Sequence, residues 1–275
     1  MNRKTEKKVV KRRILSNKKV AEDHYVMKIE APRIARDFSP GQFVAVKARE
    51  KVTDPLIRIP LGIHRTRGKG LELLYKVVGP GTALLSAKKT GEKIDMLGPL
   101  GNGFDLSPLT AAGKKTAVIV AGGHGIAPLY PLAEITAKKA ERTEFFIGTD
   151  TKDHVVRAEE LKKLGIRVHI ATEDGSRGFK GYVTELLKKQ LKRTTKHETR
   201  TTLYACGPRP MLAALAEIAG EMKISGQVSL DAYMACGIGA CLGCAIRTVD
   251  GYKLVCKDGP VFDVHEIDWK RALRE

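Results

Sequence analysis

Short alternating or apolar runs fill the first part of the chain: Val9–Leu15, Tyr25–Ile29, Gln42–Ala48, Leu56–Ile63, Leu71–Val78 and Lys93–Leu97. Turn signals separate them, among them Ser39-Pro40-Gly41, Arg67-Gly68-Lys69-Gly70 and Gly98-Pro99. Six short strands at roughly ten-residue spacing predict a small antiparallel barrel. After Ala111-Ala112-Gly113 the pattern changes. Strand-like runs at Thr116–Ala121, Glu144–Gly148, Arg167–Ala171 and Thr202–Cys206 alternate with helix-like stretches at Ala127–Ala140, Val183–Lys192 and Pro210–Met222. Such alternation predicts a doubly wound parallel sheet with helices on both faces. From about residue 225 the chain is loop-rich and carries most of the cysteines. The expectation is a multidomain β plus α/β protein: a barrel over residues 1–112, an α/β domain over 113–225 and a small domain over 226–275.

Composition narrows the class. The 275 residues are 43% hydrophobic, enough for two or three small cores. No apolar run approaches the roughly 18 residues of a membrane span, so no membrane role is expected. The N-terminal MNRKTEKKVVKRR is followed by no apolar stretch, so a secretory signal is not expected and a cytoplasmic location is. Lys and Arg outnumber Asp and Glu by 49 to 31, a net +18. The lysine pairs are spread along the chain at element ends and on polar helix faces, where a solvated surface rather than a nucleic-acid partner is the default.

Four of the five cysteines, Cys236, Cys241, Cys244 and Cys256, fall within one stretch, MACGIGACLGC…YKLVC. The spacing C-x4-C-x2-C plus one distant cysteine is that of a plant-type [2Fe–2S] cluster. Gly237, Gly239 and Gly243 suit a loop that must turn tightly and bring backbone N–H groups to the sulfides. Structural zinc prefers paired knuckles of similar spacing on both sides, and the second half here supplies one cysteine. Disulfides do not fit a reducing compartment. The four thiolates make this a carrier of single electrons.

Two other segments suggest ligands. Tyr75-Lys76-Val77-Val78-Gly79-Pro80-Gly81-Thr82-Ala83 ends a strand in Gly-x-Gly-Thr and runs into a helix-like stretch, Ala83–Lys88. It fits either a plain turn or a pyrophosphate site of backbone N–H groups and a hydroxyl, with Arg58 of Leu56–Ile63 able to add a charge-assisted contact. Val118–Pro128 reads strand, glycine turn (Gly122, Gly123, Gly125), helix start, which suits a dinucleotide although it is not a full G-x-G-x-x-G. Later strand ends place Asp174 and Cys206-Gly207 at the same sheet edge. Cys206 fits either a small buried apolar residue or a thiol beside a nicotinamide ring. Asp150 follows the Glu144–Gly148 strand, where a carboxylate accepts a ribose 2′-OH and repels a 2′-phosphate, with Lys152 and Arg157 nearby acting against it. His124 receives no catalytic role, since hydride transfer between nicotinamide and flavin needs no protein base.

The order of parts, barrel then dinucleotide domain, resembles the ferredoxin–NADP reductase superfamily. Met234–Cys244, Val255–Phe262, Gly98–Phe104 and the Cys206-Gly207-Pro208-x-Pro210-Met211-Leu212 string narrow the resemblance to electron-transfer subunits of type B dihydroorotate dehydrogenases. It covers nearly the whole chain after about residue 8. It implies FAD in the barrel, contacted by Arg58, Pro60, Leu61, Gly62, Leu74, Tyr75, Lys76, Gly81 and Thr82. It implies NAD on Gly122, Gly123, Gly125, Asp150, Asp174, Cys206 and Gly207, and a [2Fe–2S] cluster on Cys236, Cys241, Cys244 and Cys256. It also implies a separate FMN-bearing catalytic subunit as partner, two of each in a heterotetramer, in pyrimidine (UMP) biosynthesis. The family's flavin segment reads Arg-Arg-Pro-Ile-Ser or similar; here Ile59 and Gly62 stand at the second arginine and the hydroxyl position. The Arg-Ile-Pro-Leu string is also similar to flavin subunits of NADH-dependent ferredoxin–NADP reductases (sulfide dehydrogenase subunits), the alternative. Those commonly have aspartate where Cys236 stands.

Overall fold

The computed structural model describes residues 7–49, 55–110, 115–193 and 201–273. The expected 112/113 boundary lies outside the described residues. Six strands form a closed barrel in the order β1-β2-β5-β4-β3-β6: β1 (Lys8–Ala21), β2 (His24–Glu30), β3 (Phe43–Lys47), β4 (Ile59–Arg67), β5 (Gly70–Lys76) and β6 (Lys93–Leu100). Closure depends on the length of β1. Its first half pairs with β6 (Lys8↔Gly98 to Arg13↔Lys93), and its second half pairs with β2 after a register shift between Ile14 and Ser16. That irregularity lets one strand serve both neighbours and leaves no open edge. Inward residues such as Ile14, Met27, Ile29, Val44, Val46, Ile63, Leu71, Leu73 and Met96 fill the interior. Helix α1 (Pro32–Asp37) buries Ile34, and α2 (Pro80–Ser86) buries Leu85 in the same core.

The second sheet has seven strands in the order β10-β9-β8-β7-β11-β12-β15. They are β7 (Thr116–Gly122), β8 (Arg142–Thr149), β9 (Arg167–Thr172), β10 (Phe179–Lys180), β11 (Thr201–Cys206), β12 (Ser225–Ser229) and β15 (Val261–Asp263). All pairings are parallel except β12 with β15. Helices α4 (Ile126–Lys139) and α5 (Ala158–Lys163), with α3 (Ser107–Thr110), lie toward one core; α6 (Val183–Arg193) and α7 (Arg209–Glu221) pack the other. The strands are buried on both faces, as a sheet covered twice requires. On β7, Ala117, Ile119 and Ala121 face α4 and Val118 and Val120 face α7. The order reverses between β7 and β11, so the crevice at their carboxyl ends is the switch point where ligands bind in such sheets.

The chain after β12 holds a hairpin, β13 (Ala245–Thr248) and β14 (Gly251–Leu254), and a last turn of helix, α8 (Trp269–Ala272). Trp269 pins this end by donating its indole N–H to the Val264 carbonyl at 2.8 Å. The expected 225/226 boundary falls inside β12, which pairs along its length with β11. Sheet membership argues for dividing the chain after Ser229, and β15 then returns to the same sheet. No helix among the described residues is long and apolar enough to cross a membrane.

Candidate functional site

A cavity of about 210 Å³ lies where the barrel, the parallel sheet and the C-terminal segment meet. The barrel contributes Pro60, Leu61, Gly62, Leu74, Tyr75, Lys76 and Thr82; β7's loop adds His124 and Gly125; β11 adds Cys206; the C-terminal segment adds Asp231, Met234 and Pro260. Most of this wall is apolar, suited to a flat aromatic ring, with few polar groups to orient it. A second cavity of about 540 Å³ follows, lined by Gly122, Gly123, Asp150, Glu173, Tyr182 and Met211, among others. Lys76 and His124 line both, so the two cavities adjoin.

Close packing at the switch point explains its glycines. A side chain on Gly125 would put its first carbon 2.1 Å from the Cys206 carbonyl oxygen, because the start of α4 abuts the end of β11. Gly123 instead has φ +52° with nothing within 4 Å of a would-be side chain, leaving its backbone open to the second cavity. Gly207 packs on Gly122 and Met211 and lines neither cavity.

Other expected contacts separate in the same way. Arg58 lies off both cavities and pairs with Asp95 of β6 at 2.8 Å. Gly81 faces Ile59, 2.7 Å from where a side-chain carbon would sit, and also lies off both. The Thr82 hydroxyl is taken up by its own turn, accepting from the Val78 and Gly79 N–H groups at 2.9 and 3.2 Å. Asp174 is exposed, caps its own turn by accepting from the Ser176 N–H and hydroxyl, and those bonds hold its carboxyl below the usual range. Asp150 does line the second cavity. It is bonded to His154 Nδ1 at 2.5 Å, which holds its carboxyl low and hence ionised at neutral pH.

Two residues of this junction carry unusual protonation. Cys206 is buried, and burial first, then the charge of Asp231, push its thiol well up; it stays a neutral SH. His124 Nε2 lies 3.1 Å from Asp231 Oδ2, and that bond raises its pKa despite opposing burial and Lys76. Sequence reading missed His24, His154 and Asp231 as lining residues. They come from β2, the loop after β8 and the loop after β12, and no local spacing joins them.

The orientation of barrel and sheet is fixed beneath the cavities by a buried histidine. His64 Nδ1 donates to the Ala127 carbonyl (3.1 Å), and Arg157 Nε donates to His64 Nε2 (3.2 Å). Burial, then the Arg157 charge, lower its pKa to about 3, so it is neutral. Arg65 adds an ion pair to Glu134 of α4 and lies over the Tyr130 ring.

The cysteine loop is built to receive negative sulfur. Ile238, Ala240 and Cys241 N–H groups point at Cys236 Sγ at 3.3–3.4 Å, and Gly239 N–H points at Cys256 Sγ at 3.1 Å. The bonds to Cys236, the Ile238 N–H first, bring its thiol down to about 6. Gly237 and Gly239 have φ +69° and +87°, which the turn requires. The β13–β14 hairpin pairs Ala245 with Leu254, and this folds the distant Cys256 back beside Cys244, its N–H 3.4 Å from Cys244 Sγ. Burial and the neighbouring Cys244 push the Cys256 thiol up to about 12; a bound cation reverses that preference. Among the described residues no three His, Cys, Asp or Glu side chains gather as a single metal ion would need. A two-iron cluster asks for two thiolates at each iron, and Cys236, Cys241, Cys244 and Cys256 supply four.

Comparison with known proteins agrees with this layout. Residues 231–268 match the iron-sulfur cluster binding domain of dihydroorotate dehydrogenase B, and residues 119–217 match the oxidoreductase NAD-binding domain. The chain is 40% identical over 269 residues to the dihydroorotate dehydrogenase B (NAD(+)) electron transfer subunit of Desulforamulus reducens, covering 96% of this chain and 99% of that one. With the protein of the same description from Fusobacterium nucleatum it is 38% identical over 92% of this chain and 95% of that one. Among solved structures, the NADH-dependent reduced ferredoxin-NADP oxidoreductase superposes with TM-score 0.84 at 33% identity, over 96% of this chain and 91% of that one. A ferredoxin NADP+ reductase from Neisseria gonorrhoeae with bound FAD and NADP shares the fold at TM-score 0.67 and 21% identity, over 78% and 91%.

Proposed function

The chain belongs to the family of dihydroorotate dehydrogenase B (NAD(+)) electron transfer subunits, and from that premise we propose how its residues divide the work. It is the electron-transfer component of an NAD-linked oxidoreductase and carries FAD and a [2Fe–2S] cluster. Electrons from dihydroorotate pass through it to NAD+. Bound here, the cluster supplies one-electron transfer, and FAD converts pairs of single electrons into a hydride for NAD+. Everything else is positioning and electrostatics by the chain.

One observation carries the assignment: the first cavity takes its walls from all three parts of the molecule. Pro60, Leu61, Gly62, Leu74 and Tyr75 would hold the flavin ring against the barrel; the Gly62 backbone, with no side chain to offer, would supply any contact at the hydroxyl's position. Asp231, Met234 and Pro260 bring the cluster segment to one side. His124 and Gly125 open the other side to the dinucleotide, whose phosphates meet the backbone at Gly122 and Gly123 and whose ribose meets Asp150. Cys206 is a neutral thiol beside the nicotinamide. Cys236, Cys241, Cys244 and Cys256 ligate the irons. Arg58 and Gly81 act in packing the barrel, and Asp174 and Gly207 in shaping the sheet edge.

The partner is a catalytic subunit that oxidises dihydroorotate on its own FMN, in an assembly of two of each chain. Tyr233, Ile238 and Leu242 are exposed around Cys236 and Cys241, an apolar face at the place where electrons must enter. A cytoplasmic location suits cysteines kept as thiolates. The test is reconstitution. The loaded chain should hold about two irons and about one FAD, and mixing it with the FMN-bearing partner should give dihydroorotate-dependent reduction of NAD+. Electron exchange with ferredoxin and none with dihydroorotate would move the assignment to the ferredoxin–NADP oxidoreductase type, whose flavin string is similar.

A further inference from the structure

A hydride leaves toward NAD+ as two electrons and one proton, whereas an iron–sulfur relay delivers electrons alone. Each turnover fed through the cluster therefore needs one proton from solvent at the flavin site, and the reverse direction must release one. Resting on the function proposed above, we infer that His124, held by Asp231, carries this proton between solvent and the flavin cavity.

Position is the first support. Among the described residues His124 and Lys76 line both cavities, and Asp231 lines the flavin cavity. The side chains of His124 and Asp231 are 54% and 69% exposed, so the pair reaches from the cavity wall to water. Chemistry is the second. The bond to Asp231 favours the protonated form of His124, while burial and the Lys76 charge oppose it. The neighbouring groups serve less well. Cys206 is 1% exposed and its thiol is pushed well above the working range. His24, from β2, is buried, lowered by that burial and tied at Nδ1 to the Glu22 carbonyl. Lys76, at the end of β5, contributes a charge that opposes protonation of His124. In the step itself, His124 would give up a ring N–H proton to the bound flavin, which would take its two electrons from the cluster one at a time. His124 then recovers a proton from water beside Asp231.

The test uses the loaded complex with its catalytic partner. His124→Ala should slow flavin reduction by dihydroorotate about 100-fold, much more than reduction by NADH, which brings its own proton. Added imidazole should restore the loss. Asp231→Asn keeps the histidine and covers the case in which His124→Ala loses its flavin. It should lower the pH midpoint at which diethyl pyrocarbonate modifies His124, read by peptide mass, and shift the pH profile of the dihydroorotate reaction the same way. Equal slowing from both donors without imidazole rescue, or a His124 midpoint unmoved by Asp231→Asn, would overturn the relay. Failure of the unaltered complex to reduce its flavin with either donor would instead overturn the functional reading beneath it.

Discussion

Replacing Gly125 and Gly123 in turn separates a glycine needed for packing from one needed by a ligand. In Gly125→Ala the new carbon would lie 2.1 Å from the Cys206 oxygen, 2.5 Å from its carbonyl carbon and 2.9 Å from the Gly207 nitrogen. All three are backbone atoms at the end of a central strand, so relief requires α4 to move away from β11. Overpacking of this kind costs about 1–3 kcal/mol, and with contacts this short the upper end applies. At roughly 2–4 °C per kcal/mol for a chain of this size, Tm should fall by about 6 °C or more. Gly123→Ala meets no atom within 4 Å but must hold φ +52°, at about 1–2 kcal/mol. Its methyl projects where the dinucleotide would approach, so the Kd for NADH should rise about tenfold, equivalent to ~1.4 kcal/mol. Thermal melting at fixed FAD, with NADH titration of both variants, measures each effect. A Gly125→Ala protein melting within about 2 °C of the parent, or a Gly123→Ala protein that binds NADH normally, would refute the assignment of these two roles.

Three further outcomes follow from the same geometry. His64 has a folded pKa of about 3, below its ordinary 6.5, so between those values the unfolded chain takes up a proton that the folded one refuses. Its contribution is therefore complete above pH 6.5 and lost as pH falls toward 3; the whole span is on the order of 5 kcal/mol. Denaturant midpoints against pH should flatten in His64→Gln. Cys236→Ser should lose iron, sulfide and the cluster's paramagnetic signal on reduction while keeping FAD, because Cys236 does not line the first cavity, the one proposed for the flavin. Asp150→Asn should narrow the preference for NADH over NADPH by about tenfold in kcat/KM, since it removes a charge that repels a 2′-phosphate; an unchanged ratio would remove Asp150 from that role.

Much of this molecule is local, and what is local was legible in the sequence. Strand periodicity gave six barrel strands, and strand–helix alternation gave a parallel sheet, because side-chain burial repeats at two and about 3.6 residues wherever one face is covered. The cysteine spacing identified a two-iron site because one tight loop must wrap three thiolates. Tertiary structure decided the rest. Arg58 is a free cation as a string of letters, and only barrel closure sets it against Asp95. Asp174 and Thr82 look wholly available to a ligand until their turns form, which engage Asp174 Oδ1 and the Thr82 hydroxyl. β12 and β15 were missed: strands this short have little pattern of their own and gain their place by pairing with a sheet already built. Most telling are His24, His124, His154 and Asp231, which gather at one junction from β2, the loop after β7, the loop after β8 and the loop after β12. No period or motif links positions so far apart, since their neighbourhood is created only when the barrel docks on the sheet and the cysteine segment closes over both.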